Sequence, residues 1–351
     1  MITTELAFFT LIIVGIVSYF LTRLVRTFAV RYGFLDTQTS TPLLGGAAVF
    51  LSFSIIIACA LLFIVDDSII ELNIVSGILI GSAVLMLGGA LDDKYKLKAR
   101  YQIVSPILAS LIMIGFGLGQ DNITNPLYFF GLSSDPLIHL KVWTIPFLGR
   151  EITFFSDLFT FVWLMILMYA TKLLDGLNGL VAGITVIGAM VLFFTSNIFN
   201  QPLPALLAII LTGSYGGFLP YNITGKIFLG ESGSTIAGFL LGALSLIGPA
   251  KISVTLLVLG LPILDLLWVM YERKFQAKTS PFIGDARHLH YKLIRSGLSE
   301  HRAVMLLWGI SLAFGALGLV LQGIAYGALL LMLIALMAFM LFRTNRKSVF
   351  R

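Results

Sequence analysis

Long apolar runs alternate along this chain with short polar segments, and four of those segments carry most of its chemistry: residues 91–102, 172–180, 222–235 and 274–297. A run of about 18 or more apolar residues reads as a membrane span, because about 20 residues of helix cross the hydrocarbon core. Eleven such runs are expected, near 5–22, 43–65, 74–91, 103–119, 157–174, 180–197, 203–221, 233–249, 252–271, 301–321 and 324–342. Threaded alternately, they bring all four polar segments out on one face. The expected fold class is an all-α polytopic membrane protein, a single domain over residues 1–351. Between the fourth and fifth runs lies a long stretch, about 120–156, on the opposite face. Within it residues 139–154 alternate in polarity and carry Gly149 near a turn, which predicts a small external β-hairpin.

Composition agrees with the pattern. The 351 residues are 58% hydrophobic and only 11% charged, which excludes a soluble domain of this size. The first run carries Glu5 and is too long and too poorly bounded by small residues for a cleaved signal peptide. Cys59 is the single cysteine, so disulfides within the chain and cysteine-based metal sites are excluded. The net charge of +6 would suit a nucleic-acid binder, but topology explains it better. With the N-terminus outside, the inner face receives Arg23, Arg26, Arg31, the basic group Lys94–Arg100, Lys172, Lys226, seven basic residues from Arg273 to Arg302, and the basic tail 343–351. The outer face receives Lys141, Arg150 and Lys251, beside Asp66, Asp67 and Glu71. The positive-inside rule then sets the N-terminus out and the C-terminus in.

The inner segments each offer a chemical and a bland reading. Asp92 and Asp93 sit together at a membrane edge, where lysines, a shared proton or a divalent cation must offset their repulsion; a solvated loop with Lys partners is the plain alternative. Asp175-Gly176 followed by Asn178-Gly179 makes a tight link between two spans. Lys172 and Asp175 lie within or at the edge of an apolar run, where ionisable groups are costly and mark function by default. Glu231 opens a Gly/Ser-rich helix start, with Lys226 five residues earlier. Ser232 or Ser234 could cap that helix, or its free amides could hold phosphate or metal–phosphate. Two of the four histidines, His288 and His290, stand beside Asp285, Arg287 and Lys292. They read as a metal pair, a phosphate or substrate contact, or a polar loop. With many carboxylates and no usable cysteines, an oxygen-bound ion such as Mg²⁺ is favoured over zinc.

In order along the chain, LDDKYKL, DGLNGL, KIFLGESGS and SPFIGDARHLH resemble the polyprenyl-phosphate N-acetylhexosamine-1-phosphate transferases. That family includes undecaprenyl-phosphate GlcNAc-1-phosphate transferases and phospho-MurNAc-pentapeptide transferases, and the resemblance runs from about Thr41 to Gly297. It implies that Asp92 and Asp93 engage or deprotonate the lipid phosphate close to Mg²⁺, with Mn²⁺ as an alternative ion. It implies that Asp175 contacts the nucleoside, that Phe228 stacks on uracil, that Asn222 starts the loop, and that Glu231 and Asp92 serve the metal. Arg287, His288 and His290 fall in its histidine motif; Lys98, with Lys94, Lys96 and Arg100, is placed to attract anions. Three residues depart from the family pattern: Glu231 replaces the usual Asp, Asn178 a second Asp, and Lys172 an Asn.

The expected function is transfer of N-acetylhexosamine 1-phosphate, GlcNAc first, from a UDP-sugar to a polyprenyl phosphate. UMP is released at the cytoplasmic face of a bacterial-type inner membrane. The alternative within the family is the MurNAc-pentapeptide substrate, because Thr41-Pro42-Leu43-Leu44-Gly45-Gly46 resembles the TPxxGG of those enzymes, though the preceding His and Lys are absent. A polyprenyl-phosphate or ion transporter and an intramembrane aspartyl protease are the readings from other classes. No nucleic-acid partner is expected, and a homodimer is compatible with the sequence.

Overall fold

The computed structural model describes residues 3–63, 71–125, 128, 131–147, 150–247, 251–276, 287–321 and 324–349. Asp66, Asp67, Gly149, Gly284 and Asp285 lie outside them.

Each of the eleven expected apolar runs carries helix. Helices α1 (Thr4–Arg31), α2 (Gly45–Phe63) and α3 (Leu72–Tyr95) are followed by the short α4 (Ala99–Gln102) and α5 (Val104–Gly115). After a β-segment come α6 (Phe154–Leu174), α7 (Leu180–Ile198), α8 (Pro202–Ile223) and α9 (Gly230–Leu246). The chain continues with α10 (Lys251–Val258), α11 (Gly260–Tyr271), a π-turn Glu272–Gln276, α12 (Leu289–Arg295), α13 (Glu300–Val320) and α14 (Ile324–Val349). Among the described residues eight helices are long and apolar enough to cross a membrane, and a ninth span results if α10 and α11 are taken together. By length and composition, eight or nine of the eleven expected spans are thus met among the described residues, for two local reasons. The apolar stretch Ala99–Gly115 is short. Helix α9 has 17 residues, about 25 Å at 1.5 Å per residue against a hydrocarbon core of about 30 Å. Helices α10 and α11 meet at 72°; Pro262 lacks the amide that would bond back to the carbonyl of residue 258, which accounts for the break.

The short α9 is the centre of the bundle. Apart from Glu231, every one of its residues is buried, and it packs against α2, α3, α6, α7, α8 and α10. A helix enclosed on all sides needs no solvated face, and its polar side chains Ser232, Ser234, Thr235 and Ser245 are buried with the rest. Glycines set the closeness of that packing. A Cβ on Gly89 would meet the Ser232 backbone, one on Gly46 the Gly233 backbone, and one on Gly238 the Leu167 carbonyl. Gly81 lies against Phe239, Gly88 against Ser105, and Gly242 against Leu164 and Leu167. These small residues make close helix–helix contacts, as small residues commonly do in membrane bundles.

At the end of the bundle away from the C-terminus of α3, β1 (Asn122–Thr124) pairs antiparallel with β2 (Leu137–His139), and β3 (Thr144–Phe147) with β4 (Arg150–Thr153). The hairpin expected over 139–154 is present as β3–β4; His139 belongs to the other pair, opposite Asn122.

Substituting Gly89 by Val should cost about 1–3 kcal/mol through overpacking against backbone that cannot yield, read as a lower thermal midpoint in detergent. Gly216→Ala, with nothing within 4 Å of the added carbon, should melt near wild type. Equal melting of Gly89→Val and Gly216→Ala would contradict this packing.

Candidate active site

The C-terminal turn of α3 delivers two buried aspartates. Asp92 Oδ1 accepts from the Leu97 amide at 2.8 Å and from Gln102 Nε2 at 3.0 Å, which fixes the chain where Lys96 turns through φ 50°. Asp93 Oδ1 accepts from the Glu231 amide at 3.0 Å. A carboxylate from α3 thus caps the N-terminus of α9, where free amides and the helix dipole favour negative charge. Gly230 makes this approach possible: it has φ +77°, and a Cβ there would lie 2.5 Å from Asp93 Oδ2. That Oδ2 is buried and has no hydrogen-bond partner among the described residues. Ser232 and Ser234 do not cap the helix; Ser234 Oγ bonds back to the Gly230 carbonyl at 3.0 Å.

The other segments reach the same place. Asp175, just past α6, is pushed up to about 8 by burial and by the nearby charges of Asp93 and Glu231. The Glu231 carboxylate is ion-paired with Lys172 of α6, and Lys172 Nζ donates to Gln102 Oε1 at 3.0 Å. A polar chain therefore runs Glu231–Lys172–Gln102–Asp92. Around it Lys94, Lys96, Lys98 and Arg100 are exposed, and Lys94 Nζ lies 4.9 Å from the centre of the Phe34 ring.

Asn222 and Phe228 are placed by backbone pairing. Asn222 is buried; its Oδ1 accepts from the Gly179 amide at 2.9 Å and its Nδ2 donates to the Ile227 carbonyl at 3.1 Å. Both ends of this side chain tie the DGLNGL turn to the next loop, so it orders the site from within. Phe228, half-buried, is held on both sides by the Thr41–Gly46 stretch: its amide donates to the Pro42 carbonyl and its carbonyl accepts from Gly45. The TPLLGG segment is thus a brace for the loop that carries Phe228.

The histidine segment packs on the turn after Asp175, since a Cβ on Gly176 would meet His290 Nε2 and Tyr291 Oη. His288 Nδ1 lies 2.8 Å from Asp265 Oδ2, and the Leu289 amide donates to Asp265 Oδ1 at 2.9 Å. His290 is fully enclosed, with neither ring nitrogen hydrogen-bonded among the described residues. Burial pushes it down to about 4, which favours the neutral ring. Arg287 is half-buried directly ahead of His288.

Among the described residues no three His, Asp, Glu or Cys side chains converge as a ready metal site. The unpartnered Oδ2 of Asp93 beside Asp175 suits a cation; Glu231 is already engaged by Lys172.

The family model described as Glycosyl transferase family 4 matches residues 75–249, which span all four acids. Over that stretch the chain is similar to glycosyl transferase family 4. It is 27% identical over 338 residues to a Bacillus subtilis protein named "Probable undecaprenyl-phosphate N-acetylglucosaminyl 1-phosphate transferase", covering 91% of this chain and 86% of that one. It is 27% identical to a Mycolicibacterium smegmatis decaprenyl-phosphate N-acetylglucosaminephosphotransferase, over 86% of this chain and 79% of the relative. A Staphylococcus aureus phospho-N-acetylmuramoyl-pentapeptide-transferase is also 27% identical, over 80% of this chain and 85% of its own.

Two residues of this site escaped the sequence reading. Gln102 closes the first polar segment and gave no signal of its own. Asp265 did: it is an acid inside an apolar run, the situation that marks function in membranes. Asp265→Ala should leave His288 Nδ1 and the Leu289 amide unpaired, at about 1–3 kcal/mol each. Thermal melting in detergent should show a drop well beyond that of Asp265→Asn, which keeps an acceptor; equal melting of the two would contradict the arrangement.

Proposed function

We propose that this chain moves N-acetylglucosamine 1-phosphate from UDP-N-acetylglucosamine to a polyprenyl phosphate, undecaprenyl phosphate being the expected form. UMP leaves, and a lipid-diphosphate-linked sugar remains for cell-envelope polysaccharide synthesis. The observation that carries this reading is the Asp93–Glu231 amide bond, which gathers acids from separate helices at one end of the bundle. The names of the Bacillus and Mycolicibacterium relatives support N-acetylglucosamine as the sugar. We place this end at the cytoplasmic face of a bacterial inner membrane. Arg23, Arg26 and Arg31 lie on the part of α1 leading to the Phe228 brace, and Lys94, Lys96, Lys98 and Arg100 adjoin the acids, as the positive-inside rule requires.

In the transfer, an oxygen of the lipid phosphate attacks the phosphorus that bears the sugar. The bond from that phosphorus to the bridging oxygen breaks, and its electron pair leaves with UMP. Both reactants are anionic, so positioning and charge stabilisation dominate the barrier. The exposed lysines and Arg100 draw the anions toward the acids. Asp92 and Asp93 stand at the membrane edge, where a lipid phosphate would arrive. Phe228 offers a ring face to the uracil, and Asp175 borders the nucleoside side. Asp93 and Asp175 are the residues that would hold magnesium, or manganese in its place, which would supply charge neutralisation for the phosphates.

Purified protein given undecaprenyl phosphate and UDP-N-acetylglucosamine should release UMP, stop in strong chelator and resume with Mg²⁺ or Mn²⁺. Asp93→Asn should cost about 10²–10³ in kcat, the scale of a lost electrostatic contribution. UMP release only from the UDP-MurNAc-pentapeptide would transfer the reading to that substrate. No release from any UDP-sugar would contradict it.

A further inference from the structure

The acid cluster contains its own cation. Lys172 projects from the last turn of α6, with only 13% of its side chain exposed, onto a Glu231 carboxylate that is 16% exposed. Its ammonium is also held by Gln102 Oε1 at 3.0 Å and stands 5.6 Å from the centre of the Tyr169 ring. Gln102 in turn bonds Asp92. The lysine is therefore seated among the acids by three neighbours from three chain segments. An ammonium is a compact point charge on a flexible stem, able both to fill a site and to leave it. Asp93 Oδ2, by contrast, has no hydrogen-bond partner among the described residues, and there the cluster is unequally served: Glu231 is paired with a lysine from within and Asp93 is not.

We propose that Lys172 is a tethered counter-cation which competes with a divalent ion for Glu231. With no metal bound, it offsets the repulsion among Asp92, Asp93, Asp175 and Glu231 and keeps the end of α6 joined to the start of α9. When a divalent ion enters beside Asp93 and Asp175, the like charge of Lys172 opposes it, and Glu231 becomes available only as the ammonium withdraws. The affinity of the site for divalent ions is thus set by a residue that is not itself a ligand. This rests on the reading that the cluster holds such an ion.

Binding of Mn²⁺ to the detergent-purified protein, followed by the paramagnetic resonance of the free ion, tests it without recourse to turnover. Lys172→Asn removes the competing charge and should tighten Mn²⁺ binding by roughly tenfold or more, the scale set by one charge at short range in a partly screened site. Lys172→Arg keeps the charge and should bind Mn²⁺ within a few-fold of wild type. Thermal midpoints provide the second readout. In chelator Lys172→Asn should melt below wild type, and saturating Mn²⁺ should raise its midpoint more than that of wild type. If Lys172→Asn does not fold, Lys172→Gln serves in its place with the same expectation. Equal or weaker Mn²⁺ binding by the neutral variants would overturn the proposal while leaving the metal reading intact. Absence of Mn²⁺ binding in wild type and variants alike would overturn both. The transferase reading is judged separately by UMP release.

Discussion

The bond from the Glu231 amide to Asp93 is the contact on which the site depends. It joins the end of one apolar helix to the start of another across 138 positions of sequence, and it does so where water is scarce and each unpaired polar group is expensive. Gly230 permits it by its left-handed backbone and missing side chain. Once α9 is fixed to α3, its next residue, Glu231, is aimed at Lys172, and Lys172 reaches Gln102 and through it Asp92. The closeness of Gly89 and Gly46 to residues 232 and 233 enforces the same docking from the apolar side. Packing and electrostatics thus specify one relative position of the helices.

That position makes chemical sense of a costly arrangement. Four carboxylates gathered at the end of a membrane bundle repel one another, and Asp175 responds by being pushed up to about 8. A protein that needed only a stable fold would gain by neutralising them, whereas one that binds phosphates through a cation keeps them close and incompletely paired. Stability and function pull in different directions here, and the Lys172 ion pair moderates the conflict.

Much of this was legible in the sequence. The apolar runs fold as the helices they suggested because hydrophobicity on this scale leaves the backbone no other way to satisfy its hydrogen bonds in lipid. The alternation near residue 145 gave its hairpin, and the four polar segments meet as their shared face implied. Span count was less secure, since a buried helix such as α9 is as apolar as a membrane-crossing one yet need not match the bilayer in length. Partnerships were out of reach. Nothing in the order of residues says that Asn222 is consumed in bracing two turns, that Asp265 holds His288, or that Lys172 and Glu231, two separate departures from the family pattern, are in contact. Those facts arise from packing between distant elements, which no local pattern encodes.

A structure of the protein with UDP-N-acetylglucosamine bound tests the central claim most directly. The account predicts diphosphate density beside Asp93, Asp175 and Glu231, with the uracil near Phe228. At the other end of the bundle lies a cleft of about 1130 Å³ lined by Glu71, Asp121, Lys141 and Asp157. Nucleotide bound in that cleft, with the acid cluster empty, would contradict the assignment of the site.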